Sequence, residues 1–241
     1  MSSLPILMYH NLTDDKEKGL NLTLCIDKFE AQLQYLVEHN FNTYFVSEID
    51  KLIVLPKKSV VLTFDDVTEN QLTYALPLLQ KYKVKATFFI PFQYIGKHDS
   101  WNHTDENVGE KLMTIAQLQS LDPLYVELGH HSYWHRKYSD LSLEQIQEDF
   151  DKSFECIADN NLNVFPALAY PYGNYPKKDP FQKEFFQILE KNNIRMAFRI
   201  GNRLNAFPFK NKYTLQRVDI KGEDSLLVFK WKLRLGKLRL F

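Results

Sequence analysis

The sequence has little of what marks secreted, membrane-spanning or thiolate-metal proteins. Its 241 residues include only two cysteines, Cys25 and Cys156, and no Cys-x-x-Cys pattern, which argues against a disulfide framework and against a thiolate metal site. No apolar run approaches the ~18 residues that a membrane-spanning helix needs. The first residues contain no basic segment and no apolar segment followed by a cleavage site, so we expect no secretory signal and a cytoplasmic location.

Net charge is also absent, because 30 basic residues balance 30 acidic ones. A balanced chain offers no general attraction to nucleic acid, and we expect no such partner. No long linker rich in Gly, Ser or Pro divides the chain, so residues 1–241 are expected to form one domain. Aromatic residues, in contrast, make up 14% of the sequence. That content suits a sugar-binding surface, although a tyrosine-rich core explains much of it.

Apolar runs and amphipathic stretches alternate about seven times along the chain. Strands are predicted at residues 5–9, 42–46, 60–64, 84–90, 125–128, 164–169, 195–200 and 213–218, and helices at 27–40, 69–82, 114–121, 141–160 and 181–192. Alternation without hairpins favours a parallel sheet. At this number of repeats it favours an α/β fold that closes, or nearly closes, into a (β/α) barrel.

Polar residues predict where several helices begin, and an irregular stretch predicts a loop. Asp27, Thr114 and either Ser139 or Asp140 are the expected N-caps. Residues 93–113, which contain His98, Trp101 and His103, show no clear period. A loop of this length in a compact domain is usually functional or mobile, so we expect it to contact substrate.

Two adjacent carboxylates follow the central apolar strand. Asp65 and Asp66 come directly after residues 60–64 (VVLTF), where a buried strand must end because it cannot hold unpaired acids. A bare pair of aspartates is most often an acidic turn. At a strand end, however, one carboxylate can bind a metal while its neighbour faces the water that the metal activates.

Two histidines follow the strand at 125–128. His131 and His135 are four residues apart, so on a helical turn both rings would project from one face and bind one ion; the alternative is that each is structural. With Asp66 they form a set of two histidines and one carboxylate. This set suits Zn²⁺, with Co²⁺, Ni²⁺, Mn²⁺ and Fe²⁺ as alternatives, because ligand types alone do not select the metal.

Three motifs in this order resemble the polysaccharide deacetylase family, carbohydrate esterase family 4. They are Thr-Phe-Asp-Asp at 63–66, His-Ser-x-x-His at 131–135 and Tyr-Pro-Tyr-Gly at 170–173, and the resemblance runs from residue 4 to about residue 217. It implies a distorted (β/α)₇ barrel that removes acetyl groups from amino sugars. It also implies roles for five residues: Asp65 as general base, Asp66, His131 and His135 as metal ligands, and Tyr172 as a backbone N–H donor to the oxyanion.

The chain departs from the common family pattern at three places. No histidine follows His135, so the late histidine that usually acts as the acid is missing. His10, in a Met-Tyr-His run that resembles a permuted variant, is the predicted substitute, the alternative being a hydrogen-bonding role at the barrel mouth. Ala169 stands where many members have an arginine that holds the base, and Arg217 is predicted to do that work. Val67 replaces a usual glycine and tightens the turn.

Together these features favour a metal-dependent hydrolase acting on an acetylated polysaccharide, oligosaccharide or glycolipid in surface-glycan biosynthesis. Removal of N-acetyl and of O-acetyl groups both remain open. Trp101, Trp134 and Tyr172 mildly favour stacking on a pyranose ring. Two alternatives stay open: a catalytically weak glycan-binding protein that keeps the metal site, and a metallohydrolase for another acyl amide or a phosphoester.

The C-terminal residues 230–241 interleave cations with apolar side chains. One interpretation is weak attachment to an anionic membrane surface, at the inner membrane face, where lipid-linked glycans are assembled. The preferred interpretation is a last helix that covers the barrel and is followed by a fraying end.

Overall fold

The structure, a computed structural model, describes residues 2–102 and 109–236. Within these ranges it contains twelve strands and seven α-helices. The strands are β1 (Ser2–Leu4), β2 (Ile6–Tyr9), β3 (Asn11–Thr13), β4 (Thr23–Cys25), β5 (Asn42–Tyr44), β6 (Ser59–Asp65), β7 (Ala86–Ile90), β8 (Val126–His130), β9 (Val164–Ala169), β10 (Met196–Ile200), β11 (Asn205–Phe207) and β12 (Leu215–Asp219). The helices are α1 (Ile26–Glu38), α2 (Val46–Lys51), α3 (Leu76–Tyr82), α4 (Ile115–Gln119), α5 (Leu143–Asp159), α6 (Phe181–Lys191) and α7 (Leu226–Leu235).

Seven parallel strands close into a barrel. Their order around the ring is β2, β12, β10, β9, β8, β7 and β6, and β6 pairs back with β2. The first strand of the ring therefore lies beside the last, which confirms the predicted (β/α)₇ barrel. β5 also pairs with β6, end to end with β2 on the same edge, so that Val61 has both Ile6 and Tyr44 as partners.

Alternate side chains of β6 pack on opposite sides of the barrel wall, as the period of a strand requires. All seven residues of β6 are buried. Leu62 and Phe64 belong to a cluster that includes Phe29 and Leu33 of α1. Val61 instead packs with Phe89 in a separate cluster. The core thus lies on both sides of the strand that ends at the two aspartates.

Two of the predicted helix starts are wrong and one is confirmed. Thr114 caps α4, its hydroxyl accepting a hydrogen bond from the backbone N of Gln117 at 3.3 Å. Asp27 lies inside the first turn of α1, where its charge suits the helix dipole although it caps nothing. α5 begins after Ser142, because Ser139 and Asp140 form a separate 3₁₀ turn.

The C-terminal helix α7 covers the barrel, as the preferred interpretation of the tail predicts. Phe229 and Leu233 are buried, and the Lys232 ammonium forms an ion pair with Asp224 at 2.5 Å while donating to the carbonyl of Asp219 at 2.7 Å. Residues 237–241 lie outside the described part of the chain. Among the described residues, none of the helices has the length and apolar content needed to span a bilayer.

Candidate active site

The two aspartates lie at the end of β6 in an unusual turn. Asp65 is the last residue of the strand, and Asp66 and Val67 follow with φ of 75° and 47°. Positive φ is uncommon outside glycine and is an outlier for a β-branched residue such as Val67. The backbone N of Asp66 donates to Phe89 at 3.1 Å, and the carbonyl of Val67 accepts from Met113 at 2.9 Å. Neighbouring structure therefore holds this strained turn in place.

Asp66, His131 and His135 meet at one point, as the sequence predicts. Oδ1 of Asp66 lies 3.5 Å from Nε2 of His131 and 3.5 Å from Nε2 of His135. One ligand atom from each of the three residues lies within 4.8 Å of the other two. Two donors bound at ~2.1 Å to a tetrahedral ion are about 3.4 Å apart, so the spacing fits a shared cation.

The protonation states of these three residues also fit a cation. Nδ1 of His131 donates to the carbonyl of Ala169 at 2.7 Å, which leaves the Nε2 lone pair facing Asp66. Burial lowers the pKa of His131 to about 4 and that of His135 well below its usual value, so both rings are neutral at pH 7. Burial, with the charges of Asp65 and Asp99, raises the pKa of Asp66. A divalent ion would favour the ionised form of Asp66 and would bind the neutral imidazoles of His131 and His135.

The two histidines reach this point without the helical turn that their spacing predicts. His131 follows β8 directly, and the next residues form a loop in which Ser132 and His135 have φ of 67° and 53°. The backbone N of His135 donates to the hydroxyl of Ser132 at 2.8 Å. The two histidine rings do lie on the same side, as predicted. The predicted helical turn is wrong, because residues with left-handed backbone conformation turn the chain here.

A buried carboxylate on α5 supports that loop. Asp149 accepts hydrogen bonds from the backbone N of Tyr133 and of Trp134 at 3.0 Å, and from the hydroxyl of Tyr138 at 2.9 Å. Burial raises its pKa to about 6 although the hydrogen bonds oppose that shift. Asp149 was not predicted as a site residue from the sequence. An acid beside Phe150 on the apolar face of an amphipathic helix was the available signal.

Asp65 is paired with the arginine that the sequence predicts. Arg217 on β12 is fully buried, and its guanidinium holds both oxygens of Asp65, at 2.5 and 2.6 Å. Burial alone raises the pKa of Asp65, but Arg217, with His131 and His10, lowers it well below the usual value. The structure therefore keeps Asp65 ionised beside the three potential ligands.

His10 follows β2 and faces the same carboxylate, its Nε2 lying 3.7 Å from Oδ2 of Asp65. Burial lowers the pKa of His10, opposed by the charge of Asp65. The side-chain amide of Gln71 donates to the carbonyls of His10 and Asp65, at 3.0 and 2.6 Å, and so joins the ends of β2 and β6. Gln71 begins a π-helical segment, Gln71–Ala75, within the helix predicted at 69–82. Such segments are frequent at functional sites, and the apolar pattern of residues 69–82 did not predict this one.

Comparison with known proteins identifies the family. Residues 53–197 match the family model described as polysaccharide deacetylase. The chain belongs to the polysaccharide deacetylase family. Among solved structures, the Streptococcus pyogenes deacetylase PplD in complex with acetate has a TM-score of 0.77 and 22% identity, over 97% of this chain and 99% of that one. At this identity the likeness shows the fold.

Sequence relatives of this polysaccharide deacetylase family member are moderately similar. A poly-β-1,6-N-acetyl-D-glucosamine N-deacetylase of Staphylococcus epidermidis is 24% identical over 94% of this chain and 78% of its own length. YxkH of Bacillus subtilis is 26% identical over 81% of this chain. The chain spans 64% of the length of YxkH, slightly under two thirds.

An aromatic cleft of about 540 Å³ opens beside the cluster of Asp66, His131 and His135 in this family member. The residues that line it are Tyr94, Trp101, Trp134, His135, Arg136, Lys137, Asp140, Leu141, Gln145 and Tyr172. Trp101 stacks on the ring of His135 with 3.9 Å between centroids, and the Tyr172 ring lies 5.0 Å from it. Trp101, Trp134 and Tyr172 thus share one cleft. His98 does not line the cleft, and His103 lies outside the described residues.

Proposed function

We propose that this protein is a metal-dependent hydrolase that removes acetyl groups from amino sugars of a polysaccharide, oligosaccharide or glycolipid, in surface-glycan biosynthesis. The observation that carries the proposal is the meeting of Asp66, His131 and His135 beside the ion pair of Asp65 and Arg217. The name of the Staphylococcus epidermidis relative makes a polymer of N-acetylglucosamine the first substrate to test.

Asp66, His131 and His135 would hold the divalent cation. Zn²⁺ suits two nitrogen donors and one carboxylate, and Co²⁺, Ni²⁺, Mn²⁺ and Fe²⁺ are alternatives. When bound, such an ion supplies Lewis acidity and lowers the pKa of a coordinated water.

Asp65 is the group that we assign to take the proton of the attacking water. Arg217 keeps it ionised and fixes the plane of its carboxylate, because both oxygens are held. Its Oδ2 also faces Nε2 of His131 at 3.8 Å, which places the base directly beside the ligand set. The backbone N–H of Tyr172, in the turn after β9, is the group that we assign to the oxyanion.

His10 is the group that we assign to protonate the leaving amine, which an amide cannot release without a proton. Among the described histidines, it is the one that faces Asp65 without belonging to the cluster of Asp66, His131 and His135. Because burial lowers its pKa, a protonated His10 gives up its proton readily. The competing role is a hydrogen-bonding residue at the barrel mouth.

Acetate release from N-acetylglucosamine oligomers tests the proposal. We expect Asp65→Asn to reduce release by roughly 10²- to 10⁴-fold, as loss of a general base does. His131→Ala should abolish it and also lose the metal, measured by elemental analysis, while circular dichroism shows an intact fold for both. Undiminished release from Asp65→Asn protein would contradict the assignment. O-acetylated oligomers, run in parallel, decide between N- and O-deacetylation.

The glycan-binding alternative predicts affinity for the same oligomers without turnover. The reason for this alternative is that the chain lacks the family's usual motif arginine and its late histidine. Two contacts support the hydrolase over the binding protein: Arg217 holds Asp65 at 2.5 Å, and His10 lies 3.7 Å from the same carboxylate. An acyl amide without a sugar and a phosphoester, added to the same assay, test the third class.

We also propose, as a lesser point, a weak attachment of α7 to the anionic inner membrane face. Leu227, Trp231 and Leu235 are exposed on α7 beside Lys230 and Arg234, a combination of apolar and basic groups that favours anionic lipid surfaces. Trp231→Gln protein should pellet less with phosphatidylglycerol vesicles than the unaltered protein does. Equal pelleting would contradict the attachment.

A further inference from the structure

Two cationic side chains line the aromatic cleft, and both belong to residues that directly follow His135 in the sequence. Arg136 and Lys137 are both exposed, and among the described residues neither has a carboxylate within 4.0 Å. The guanidinium carbon of Arg136 lies 5.5 Å from the Trp134 ring centroid, and Nζ of Lys137 lies 5.4 Å from that of Tyr172. The aromatic walls of the cleft thus hold two positive charges close to the proposed reaction centre.

Within the described part of the chain, neighbouring groups compensate this positive charge only in part. Of the residues that the structure describes, Asp140 is the one carboxylate that lines the cleft. Asp149 is buried and accepts hydrogen bonds from backbone N–H groups. Burial raises its pKa and the charge of Arg136 opposes that rise, so this carboxylate offsets part of the charge of Arg136. A third cation, Lys152, lies 4.8 Å from the Trp134 ring, although it also pairs with Glu148 at 3.0 Å. Exposed cation–π contacts stabilise by only about 0.5–1 kcal/mol, so both charges stay available to a ligand.

We propose that the cleft is a subsite for an anionic substituent on the sugar next to the acetylated one. This inference rests on the proposed function, because it takes a glycan as the substrate. The substituent is a phosphate or a uronic acid carboxylate, either of which can pair with Arg136 and Lys137 while its sugar ring stacks on Trp134 or Tyr172.

The same charges disfavour a neighbouring glucosamine. Deacetylation converts a neutral amide into an amine that is a cation at pH 7, with the same sign as Arg136 and Lys137. A glycan that is already deacetylated beside the target sugar would therefore bind less well. In the expected product, sugars that carry a free amine are separated by sugars that remain acetylated.

Four matched trisaccharides test the subsite. Each ends in the same N-acetylglucosamine, and the adjacent sugar is neutral N-acetylglucosamine, its phosphate ester, glucuronic acid or glucosamine. We expect tighter binding of the two anionic trisaccharides in calorimetry, by up to about fivefold for each ion pair formed, and weaker binding of the glucosamine one. The preference should shrink as ionic strength rises. The anionic trisaccharide that binds more tightly shows whether the preferred substituent is a phosphate or a carboxylate.

A matched pair of double variants separates the cleft from the net charge. Arg136→Gln with Lys137→Gln should bring the affinity ratio of anionic to neutral trisaccharide close to one. Lys183→Gln with Lys191→Gln, on the exposed face of α6, removes the same charge elsewhere and should keep the ratio of the unaltered protein. Equal affinity of the unaltered protein for all four ligands overturns the subsite, as does an equal effect of both double variants.

Acetate release, measured separately, distinguishes this inference from the proposed function. Release from every trisaccharide without any difference in affinity overturns the subsite and supports the hydrolase. Selective binding without release from any trisaccharide supports the subsite and contradicts the hydrolase.

Discussion

At the scale of residues, Arg217 and Asp65 form a buried ion pair. Both side chains are almost completely buried, and the guanidinium holds both carboxylate oxygens. Breaking a buried pair by removing one partner leaves an uncompensated charge, which typically costs 3–5 kcal/mol.

We therefore expect Arg217→Met to lower the free energy of unfolding by roughly 3–5 kcal/mol, measured by urea denaturation in the presence of a chelator. Adding Asp65→Leu to that variant removes the stranded charge and should restore part of the loss. Arg217→Lys keeps the charge without the two-pronged contact and serves as the control. An Arg217→Met protein as stable as the unaltered one would show that the pair is not formed.

The role of His10 can be tested by changing the leaving group. An acid is needed when an amine departs, and it is not needed when nitrophenolate departs. We expect His10→Gln to slow acetate release from N-acetylglucosamine oligomers by roughly 10²- to 10⁴-fold while 4-nitrophenyl acetate is cleaved at a similar rate. Asp65→Asn, the matched control, should lose both activities. Equal losses on both substrates would instead support a structural role for His10.

His10 and Arg217 were both predicted because residues that are usual in the family's motifs are missing from this sequence. No histidine follows His135, so His10 was predicted as the acid. Position 169 is not arginine, so Arg217 was predicted to hold Asp65. Gln71 and Asp149 replace no missing motif residue, and for Asp149 the signal was its place on the apolar face of α5. Their contacts are with backbone groups distant in sequence, and a single polar residue in a helix does not announce a distant backbone partner.

At the scale of elements, the loop between β8 and α5 determines how well the two histidines are held. Asp149 accepts hydrogen bonds from two backbone N–H groups of that loop and from Tyr138. Such outer partners of metal ligands commonly change metal affinity by 10- to 100-fold when they are replaced.

We expect Asp149→Asn to weaken Zn²⁺ binding by roughly 10- to 100-fold, measured by competition with a chelating dye. An amide has only one oxygen, so it cannot accept all three hydrogen bonds. Tyr138→Phe removes one donor and leaves both backbone contacts of Asp149, so it should have a smaller effect. If the two variants weaken binding equally, the backbone contacts are not what hold the ligands.

Element types were easier to predict than their local turns. The strands before Asp65, His131 and Tyr172 follow from apolar runs, and their ends follow from the polar residues. The left-handed backbone at Asp66 and Val67 cannot be predicted in this way, because hydrogen bonds with Phe89 on β7 and with Met113 impose it against local preference. The π-helical segment at Gln71–Ala75 was hidden for a related reason, since its apolar pattern resembles that of an α-helix.

At the scale of the whole molecule, barrel closure brings together residues from distant parts of the sequence. β2 lies between β12 and β6, so His10, Arg217 and Asp65 come from adjacent strands although they span most of the chain. Alternation of strands and helices predicts this ring. It does not predict that β5 pairs outside the ring, because a strand of three residues at 42–44 has the same pattern as a barrel strand.

Buried histidines should make the metal-free protein sensitive to acid, and His130 allows a clean test. Its ring packs against Phe92 and Phe154, and burial lowers its pKa to about 4, whereas an unfolded histidine has a pKa of about 6.5. Between these values the unfolded chain binds a proton that the folded chain does not, so this contribution to stability falls as the pH falls. Asp149 acts in the opposite direction, because its pKa is raised by burial to about 6. A comparison between variants is therefore needed to isolate His130.

We expect His130→Phe to reduce the acid sensitivity of the free energy of unfolding by about 1.4 kcal/mol per pH unit between pH 6 and pH 4.5. Urea denaturation with a chelator, at several pH values, measures this slope for both proteins. The pair compared at pH 7 gives the packing effect alone, since a histidine with a pKa of about 4 is uncharged there. A stability difference that stays constant from pH 7 to pH 4.5 would mean that His130 does not titrate differently in the folded barrel.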